Sequence, residues 1–381
     1  MSTLSAKSAV VFCMALFMVQ PIQFGVWLSR IAEVQTELGL SKSALAFALL
    51  GMPVGLLPML YFAGAIIDRI GVRLAFFGAF PVMLMTGVFP ALASSVSDLF
   101  VGLILLGMSF AFAEVGLNVM AAQLEKSYQI SIMNRAHGFW SLGIMFGSLG
   151  GVKMATLNIS VLHALAITGV TLFPILLIIS WYLPKQMIPK QTPAKKYEPW
   201  RIPSGLFPII VFVFGATLAE GAMHDWATVY MREAPWGGSY YDGLAVSVYA
   251  GMITFGRLVG DTLNLRLGPV ALARICISFA ILGVLSLVLS GSIWMSLIGF
   301  GLVGLGVSVV FPLGVSATAH LSERHQARNV SVMTFGALTG FLIGPPLIGL
   351  IAELMSLRIG ISILIPGLII SLFMSKRLLR W

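Results

Sequence analysis

Charged residues are scarce in this sequence. Asp, Glu, Lys and Arg together make up 10% of the 381 residues, whereas hydrophobic residues make up 58% and the mean hydropathy is +0.98. A water-soluble domain has about a quarter of its residues charged, and it has no core large enough to hide this much apolar surface. The composition therefore excludes a soluble domain and predicts an integral membrane protein.

Cysteine is almost absent, and so are the motifs of enzymes and ATP-driven proteins. Cys13 and Cys276 both lie in apolar runs, so the sequence predicts no disulfide framework. We find no P-loop, zinc-ligand spacing, nucleophile elbow or dinucleotide-binding loop. We therefore expect no metal, no cofactor, no drive by ATP and no enzymatic activity.

Segments of alternating polarity are also missing. A transmembrane β-strand needs about ten residues of such alternation, whereas this chain has unbroken apolar runs such as 157–183. A spanning helix needs about 20 apolar residues. The runs predict an all-α integral membrane protein with twelve transmembrane helices. The predicted spans are 8–30, 43–67, 72–92, 99–122, 132–152, 159–183, 205–230, 243–260, 269–289, 294–319, 330–351 and 357–375.

Positive charge is divided unequally between the two sides of the predicted bundle. With the N-terminus in the cytoplasm, 17 Lys and Arg residues fall on the cytoplasmic side. The opposite side has five, namely Arg30, Lys42, Lys153, Arg232 and Arg358. The positive-inside rule then places both termini in the cytoplasm. Short loops and tails indicate a bacterial inner membrane, so the net charge of +9 marks orientation in a lipid bilayer and not a nucleic-acid partner.

The longest polar stretch lies at the middle of the chain. Residues 184–203 carry five basic residues and indicate a cytoplasmic linker. This linker divides the chain into an N-terminal six-helix half, 1–183, and a C-terminal six-helix half, 204–381.

A short charged pattern recurs after half of the chain. Asp68 and Arg73 follow the second predicted span, and Asp261 and Arg266 follow the eighth with the same spacing, 193 residues later. The recurrence predicts two pseudo-symmetric halves related by an axis along the membrane normal.

The first of these loops has a recognisable pattern. Gly64-x3-Asp68-Arg69-x-Gly71-x-Arg73 resembles the signature loop of the major facilitator superfamily of secondary transporters. The resemblance implies two halves that give alternating access to a central site.

A second resemblance, to the fucose:proton symporter group and its uncharacterised bacterial relatives, lies in the fourth and fifth predicted helices. The residues that carry it are Glu114-x3-Asn118 and Asn134-x2-His137-x2-Trp140-Ser141-x-Gly143-x3-Gly147. That group has an aspartate in its first helix, and the first helix here has no carboxylate. A mechanism that uses that aspartate is therefore not carried over.

Charged residues near helix ends are candidate gate residues. Asp68 can pair with Arg73, a facing arginine or a helix N-terminus, and would then latch the cytoplasmic side shut; alternatively, these charges only set topology. We place Asp225 either at the solute site or in an interfacial pair with Arg30. The complete candidate gate set is Arg30, Asp68, Arg69, Arg73, Asp225, Arg257, Asp261 and Arg266.

Three acidic residues, Glu114, Glu220 and Asp225, fall within predicted spans. Carboxyl groups are costly in hydrocarbon, so they mark functional sites. The superfamily resemblance implies that helices one, four, seven and ten line the cavity, which directs Glu114 and Glu220 toward each other. We predict that these two residues carry protons. The alternative for each is an acid satisfied by a neighbouring helix or facing an aqueous vestibule.

Polar and aromatic residues near these acids are candidate solute ligands. Gln20, Gln23 and Trp27 share one side of the first helix, and amides beside an indole suit a sugar-like solute. Hydrogen bonding between helices is the alternative role for these glutamines. The complete predicted substrate-binding set is Gln20, Gln23, Trp27, Asn118, Asn134, His137, Trp140 and His224.

Together these residues predict a monomeric, proton-coupled symporter that imports a small polar, sugar-like solute by alternating access. Two alternatives stay open. One is a proton-antiport exporter of amphipathic compounds or metabolites, which would have a wide, aromatic and apolar cavity. The other is a non-transporting membrane protein, either an embedded enzyme or a sensor. The solute, the direction and the choice between protons and sodium ions are also left open.

Overall fold

The structure is a computed structural model and consists of helices joined by short turns. The described residues are 6–130, 132–183, 203–236, 239–321 and 326–380. No β-strand occurs in these ranges, so the all-α class predicted from composition is confirmed. The predicted linker, 184–203, lies outside the described residues apart from Pro203.

The first part of the chain contains eight described α-helices. They are α1 (Ala6–Val19), α2 (Ile22–Glu37), α3 (Lys42–Leu49), α4 (Gly51–Ile70), α5 (Val72–Thr86), α6 (Val96–Tyr128), α7 (Met133–Thr156) and α8 (Val161–Tyr182). A short 3-10 helix, Phe89–Leu92, follows α5. α1 and α2 form one apolar rod interrupted at Pro21, whose ring removes a backbone donor. α3 and α4 form a second rod, broken at Leu50.

The part of the chain after Pro203 contains nine described α-helices. They are α9 (Leu206–Glu233), α10 (Ser239–Asp242), α11 (Leu244–Leu267), α12 (Pro269–Val288), α13 (Ile293–Val307), α14 (Val310–Ala319), α15 (Gln326–Leu354), α16 (Leu357–Ser362) and α17 (Leu364–Met374). α13 joins α14, and α16 joins α17, to give one apolar rod each. A 3-10 helix, Ser375–Arg380, ends the described chain.

Ten of the rods in the described ranges are long and apolar enough to cross a membrane. α7 and α11 coincide with the fifth and eighth predicted spans, and each has 24 residues, or about 36 Å of helix. Neither helix is as apolar along its length as those ten rods. They pack against each other, with Ser148 bonded to Ser247 near one end and Asn134 bonded to Asp261 near the other. Ten of the twelve predicted spans thus correspond to apolar rods and two to this more polar pair, so the count of twelve transmembrane helices stays a prediction.

Successive rods run in opposite directions, so the turns between them collect at two ends of the bundle. We name these the Lys42 end and the Asp261 end, after a residue near each. At the Lys42 end, five helices begin with a serine whose side chain accepts the backbone N–H three residues later, which satisfies one otherwise unpaired donor. These serines are Ser41, Ser95, Ser160, Ser292 and Ser356.

At the Asp261 end, the two charged loops predicted from sequence are shorter than expected. Asp68 and Arg69 lie in the last turn of α4, and Gly71 alone separates α4 from α5. α11 likewise continues through Asp261 and ends at Gly268. Both glycines have positive φ, 88° and 78°, which side chains disfavour. The predicted loop positions of Asp68, Arg69 and Asp261 are therefore wrong, because the helix continues past the apolar run.

These two glycine turns also correct the register of the repeat. Gly71 and Gly268 are 197 residues apart (268 − 71), and the same offset pairs Arg69 with Arg266. Asp68 and Asp261 are only 193 residues apart, so they sit one helical turn out of step in this register. The matched glycine turns move the register of the predicted repeat by four residues, and the division into two related halves stays a prediction.

Close backbone approach joins α2 to α7. A side chain at Gly147 would collide with the backbone of Ile22, and one at Gly25 would collide with the backbone of Ile144. Small residues of this kind let transmembrane helices pack tightly without a hydrophobic driving force. α7 is thereby held between α2 on one side and α11 on the other.

Buried apolar side chains form two clusters. One is drawn entirely from residues 9–183 and includes Phe76 and Phe80. The other extends from α2 and α3 into the helices after Pro203 and includes Trp226. α9 is the most enclosed helix of this second cluster, with 20 of its 28 residues buried. The polar residues of α9 are therefore held in the interior, where they need partners.

Candidate functional site

Arg257 of α11 lies at the centre of a buried polar cluster. Its Nη2 contacts Glu220 Oε1 on α9 at 3.4 Å. Its Nη1 donates to Ser141 Oγ at 2.6 Å and to the carbonyl oxygen of His137 at 3.2 Å, both on α7. The side chains of Arg257 and Glu220 are only 11% and 12% exposed. One guanidinium thus joins three helices, and a residue predicted as part of a gate contacts a predicted proton carrier.

Glu114 of α6 belongs to the same electrostatic cluster. It is half-buried and interacts with the charges of both Arg257 and Glu220. No hydrogen bond joins its carboxyl group, or the amide of Asn118 one turn later, to another described residue. The two predicted proton carriers therefore share one arginine. The cluster has no net charge when one of its two carboxyl groups carries a proton.

Two histidines lie near Arg257 and interact with its charge. The ring of His137 packs edge-on against Phe17 of α1, with 5.7 Å between centroids. The ring of His224 packs edge-on against Tyr249 of α11 at 5.5 Å. The structure thus brings both predicted histidines to the Arg257 cluster, where neither ring has a described hydrogen-bond partner.

Tyr249 and Ser141 are site residues that the sequence reasoning missed. Tyr249 is fully buried and interacts with the charges of Glu220 and Arg257. Its hydroxyl has no hydrogen-bond partner among the described residues. Ser141 accepts from Arg257. Tyr249 precedes Arg257 by eight residues, about two helical turns, and this spacing is the only sequence signal for it.

The predicted polar side of the first helix is only in part available to a solute. Gln23 donates from Nε2 to the carbonyl oxygens of Leu84 and Leu165, at 3.1 Å and 2.9 Å, so this amide group joins helices together. Gln20 is fully buried, and its Oε1 has no partner among the described residues. Gln20, Gln23 and Trp27 nevertheless line one small cavity, together with Phe24, Met83, Gly87, Leu106 and Phe110.

Asn134 and Trp140, predicted together as solute ligands, lie at different places. Asn134 donates to Asp261 Oδ1 at the Asp261 end. Asn134 and Asp261 line a cavity of about 120 Å³ that also reaches Arg257 and Asn264. Trp140 lies deeper, packed edge-on against Phe110 at 6.4 Å, and its indole nitrogen is buried without a described partner. Asn134 therefore acts in a contact between α7 and α11, and Trp140 stays with the aromatic lining.

The latch predicted between Asp68 and Arg73, at the turn from α4 to α5, is not formed. Asp68 and Arg69 are exposed, and neither makes an ion pair with a described residue. The guanidinium of Arg73 instead lies 4.8 Å above the ring of Trp181 on α8, a cation–π contact. Arg266 is exposed and likewise unpaired within the described chain. The pairing of Asp68 with Arg73 is therefore wrong for this conformation.

The predicted pair of Arg30 with Asp225 is also absent. Arg30 is 2% exposed, and its guanidinium contacts Glu33 and the carbonyl oxygens of Gly151 and Ile159, the last at 2.8 Å. These partners satisfy the arginine within the first part of the chain. Asp225 is half-buried on α9 and has no hydrogen bond to a described residue. The interfacial pair is therefore not formed in this structure, and the solute-site role of Asp225 stays a prediction.

Arg232 of α9 makes a closing contact at the Lys42 end that sequence reasoning treated only as a topology signal. Its Nη1 donates to the carbonyl oxygen of Ala32 at 2.8 Å and to Thr36 Oγ1 at 3.0 Å, both on α2. Its Nε pairs with Asp242 Oδ2 at 2.7 Å. One side chain therefore joins the C-terminal end of α2 to α9 and α10.

The start of α3 makes a second closing contact at the same end. Lys42 Nζ lies 3.0 Å from Glu233 Oε1. Glu353 of α15 accepts the backbone N–H groups of Lys42 and Ser43, at 2.8 Å and 3.3 Å, where a carboxylate also complements the helix dipole. These contacts hold the Lys42 end of the bundle shut.

We expect Arg232→Gln to open the Lys42 end. The substitution removes the charge-assisted contacts of the Arg232 guanidinium. Such contacts are worth about 1 to 3 kcal/mol in the equilibrium between the closed and open Lys42 end, so the population of the open state should rise about 5- to 150-fold. A cysteine placed at buried Ser29 should then react faster with a membrane-impermeant maleimide. Arg358→Gln is the matched control, since Arg358 lies over the ring of Trp236 and makes no hydrogen bond or ion pair with a described residue before Pro203. Equal labelling in both variants would contradict the closing role.

The described residues contain no group of three or more His, Cys, Asp or Glu side chains placed to hold a metal ion. Cys13 and Cys276 are buried and not joined to each other. The described polar contacts of the Arg257 cluster are hydrogen bonds and one ion pair, between Arg257 and Glu220.

Known proteins resemble this chain over almost its full length. The uncharacterized transporter y4wD of Sinorhizobium fredii is 27% identical over 355 residues, which cover 90% of this chain and 91% of that protein. The crystal structure of the nucleoside transporter NupG has a TM-score of 0.75 at 13% identity, with 98% and 99% of the two chains covered. The transporter FucP, in an outward conformation, gives 0.63 at 15% identity and covers 98% and 99%. At these identities the two structures show a shared fold alone.

The sequence pattern of one family covers most of this chain. Residues 8–301 match the Major Facilitator Superfamily. Together with the apolar rods, this match identifies a multi-pass membrane protein and a secondary transporter that works by alternating access. The chain therefore belongs to the Major Facilitator Superfamily, and the resemblance carried by the segment from Gly64 to Arg73 is confirmed.

Proposed function

We propose that this protein is a proton-coupled symporter that imports a small polar, sugar-like solute, with Glu114 and Glu220 as the proton carriers. The observation that supports the proposal is the arginine that both acids share. Net charge inside a membrane protein is costly. A proton that binds to Glu220 removes the charge that balances Arg257, so proton binding alters the affinity of the site for anything else that contacts Arg257.

The proposed solute site lies between the acids and the aromatic lining. Trp27 and Trp140 offer indole faces, and Asn118 offers an amide with no described partner. A polar ring with one apolar face is recognised by this combination of stacking and hydrogen bonding. His224 and Asp225, on α9, complete the site that we propose.

We further propose that the solute lies between two six-helix halves, 1–183 and 204–381, joined by a linker at 184–203. The matched turns at Gly71 and Gly268 support this division. The excess of Lys and Arg on one side supports cytoplasmic termini. We place the protein in a bacterial inner membrane, as a monomer, with the Lys42 end facing outward.

A second candidate function is proton-antiport export of amphipathic compounds. One observation favours it: the amides of Gln23 and Asn134 are taken up in contacts between helices. With the Gln23 amide engaged by backbone carbonyls, the small cavity around Phe24, Trp27 and Phe110 has a more aromatic lining. Export and import require the same fold, so a transport experiment has to separate them.

The test is a solute-induced pH change in proteoliposomes. Sugars, sugar acids, polyols, nucleosides and amino acids are added one class at a time, and the external pH is recorded. Symport predicts alkalinisation of the external medium with one class. If no solute moves protons while a pH gradient drives dye efflux, the exporter is correct. If neither occurs, both proposals are wrong.

A further inference from the structure

One edge of the Arg257 guanidinium has hydrogen-bond donors without full partners among the described residues. A guanidinium has five N–H donors. Both donors of Nη1 are used, by Ser141 and by the carbonyl of His137. Nε is buried and has no partner among the described residues, and Nη2 has only the 3.4 Å contact with Glu220. Nε and Nη2 together form the edge that binds a carboxylate through two parallel hydrogen bonds. Glu220 therefore engages this edge at one point only.

A second unused donor belongs to the same cluster. The Tyr249 hydroxyl is fully buried, has no partner among the described residues, and belongs to a side chain that interacts with the charges of Arg257 and Glu220. A buried hydroxyl without a partner carries a desolvation cost that a suitable ligand removes. Arg257 and Tyr249 both donate, so the ligand that suits them is an acceptor, and an anionic one.

We propose that the transported solute carries a carboxylate, which replaces Glu220 on the Nε and Nη2 edge of Arg257 while Glu220 carries the proton. This inference rests on the proposed proton symport and names its substrate class, a small polyhydroxy acid in place of a neutral sugar. No covalent bond forms or breaks. A proton joins the carboxylate of Glu220, and one ion pair of Arg257 is exchanged for another.

The charges around Glu220 set the stoichiometry. Glu220 faces Arg257 and Tyr249 on α11 and Glu114 on α6, while His137 and His224 interact with Arg257. In the empty site, one carboxylate balances the arginine. In the loaded site, the solute carboxylate takes over that balance. One proton therefore accompanies one monoanion, and the transport step moves no net charge.

Matched pairs of solutes test the substrate class. Glucuronate and galacturonate differ from glucose and galactose by one carboxylate in place of a hydroxymethyl group, and gluconate and glycerate extend the acidic set. Proteoliposomes on a solid support are given an inward pH gradient, with uptake and current recorded together. We expect at least one acid to enter about tenfold faster or more than its neutral parent, without current. A neutral sugar that enters with a proton produces current.

Two variants test whether the preference for the acid depends on the Nε and Nη2 edge of Arg257 and on the Tyr249 hydroxyl. Arg257→Lys keeps the positive charge but has no planar pair of donors, so the KM for the acid should rise about tenfold or more. Tyr249→Phe keeps the ring and removes the hydroxyl, and should raise the same KM about three- to tenfold. Arg274→Lys is the matched control, because Arg274 is exposed on α12 and bonds Ser375, away from the cluster. If Arg257→Lys fails to fold, Tyr249→Phe still decides.

The outcomes distinguish failure of the carboxylate inference from failure of the proposed symport function. Proton-coupled, current-producing uptake of a neutral sugar, with no preference for the acid, overturns the carboxylate inference and leaves the symport proposal standing. Acid uptake with an unchanged KM in Arg257→Lys or Tyr249→Phe also overturns the inference. If no acid and no neutral solute moves protons, the proposed function and this inference fail together.

Discussion

Substituting Glu220 by glutamine abolishes proton-driven solute uptake and leaves solute exchange in place. Glutamine keeps the size of the side chain but cannot bind and release a proton. With a neutral side chain fixed beside Arg257, uptake driven by a pH gradient should fall by about 100-fold or more, since the group that carries the proton is gone. Counterflow of labelled for unlabelled solute, which needs no net proton movement, should persist. Both rates are measured in the same proteoliposomes.

Glu114→Gln should have the same signature, because we propose that the one proton bound by Glu220 passes through Glu114, whose carboxyl group interacts with the charges of Arg257 and Glu220. Glu37→Gln is the matched control, as Glu37 is exposed near the end of α2. The control should accumulate solute like the wild type. Accumulation driven by the pH gradient in either Glu114→Gln or Glu220→Gln would remove that residue from the coupling step.

A disulfide between α7 and α11 near the Lys42 end arrests transport completely. Ser148 Oγ and Ser247 Oγ are buried and lie 2.7 Å apart. Cysteines at these two positions, in a chain with Cys13 and Cys276 replaced by alanine, have sulfur atoms close enough for a bond of about 2.05 Å. Alternating access requires the two helices to separate at this end. The oxidised protein should therefore have no measurable uptake.

The cross-linking experiment carries its own controls. Each single variant, Ser148→Cys or Ser247→Cys, is oxidised in parallel and should transport as before. A reductant should restore uptake in the double variant, which distinguishes arrest from damage to the fold. Full uptake with the disulfide quantitatively formed would show that α7 and α11 stay joined here throughout the cycle.

Much of the architecture is predictable from the sequence, because spanning helices need long apolar runs. Every predicted span coincides with a described helical rod, including the two more polar ones, α7 and α11. The ends of the helices are less predictable. α4 and α11 continue through Asp68 and Asp261, since hydropathy reports the depth of the bilayer and gives no signal where a helix extends beyond it. Gly71 and Gly268 mark the true ends.

A residue of the candidate site is predictable from the sequence only where the free-energy cost of placing it in a membrane identifies it. Glu114 and Glu220 are found because carboxyl groups are costly in a membrane. Their shared partner, Arg257, is present in the sequence, but its contacts with α7 and α9 depend on how three helices pack. The same limit applies at the Lys42 end. Arg232 and Glu353 look like ordinary surface charges until tertiary structure sets each against the end of another helix.

The polarity of α7 bears on how the chain is made. A helix enters the bilayer from the translocon according to its own apolar character, and α7 falls short of the other rods in this respect. Its polar partner α11 begins 88 residues after α7 ends (244 − 156), so at ribosomal speed its synthesis starts roughly 5 to 20 s later. In that interval the glycine contacts of α7 with α2, which is already synthesised, are available to retain it. The order of the helices along the chain thus sets an order of assembly.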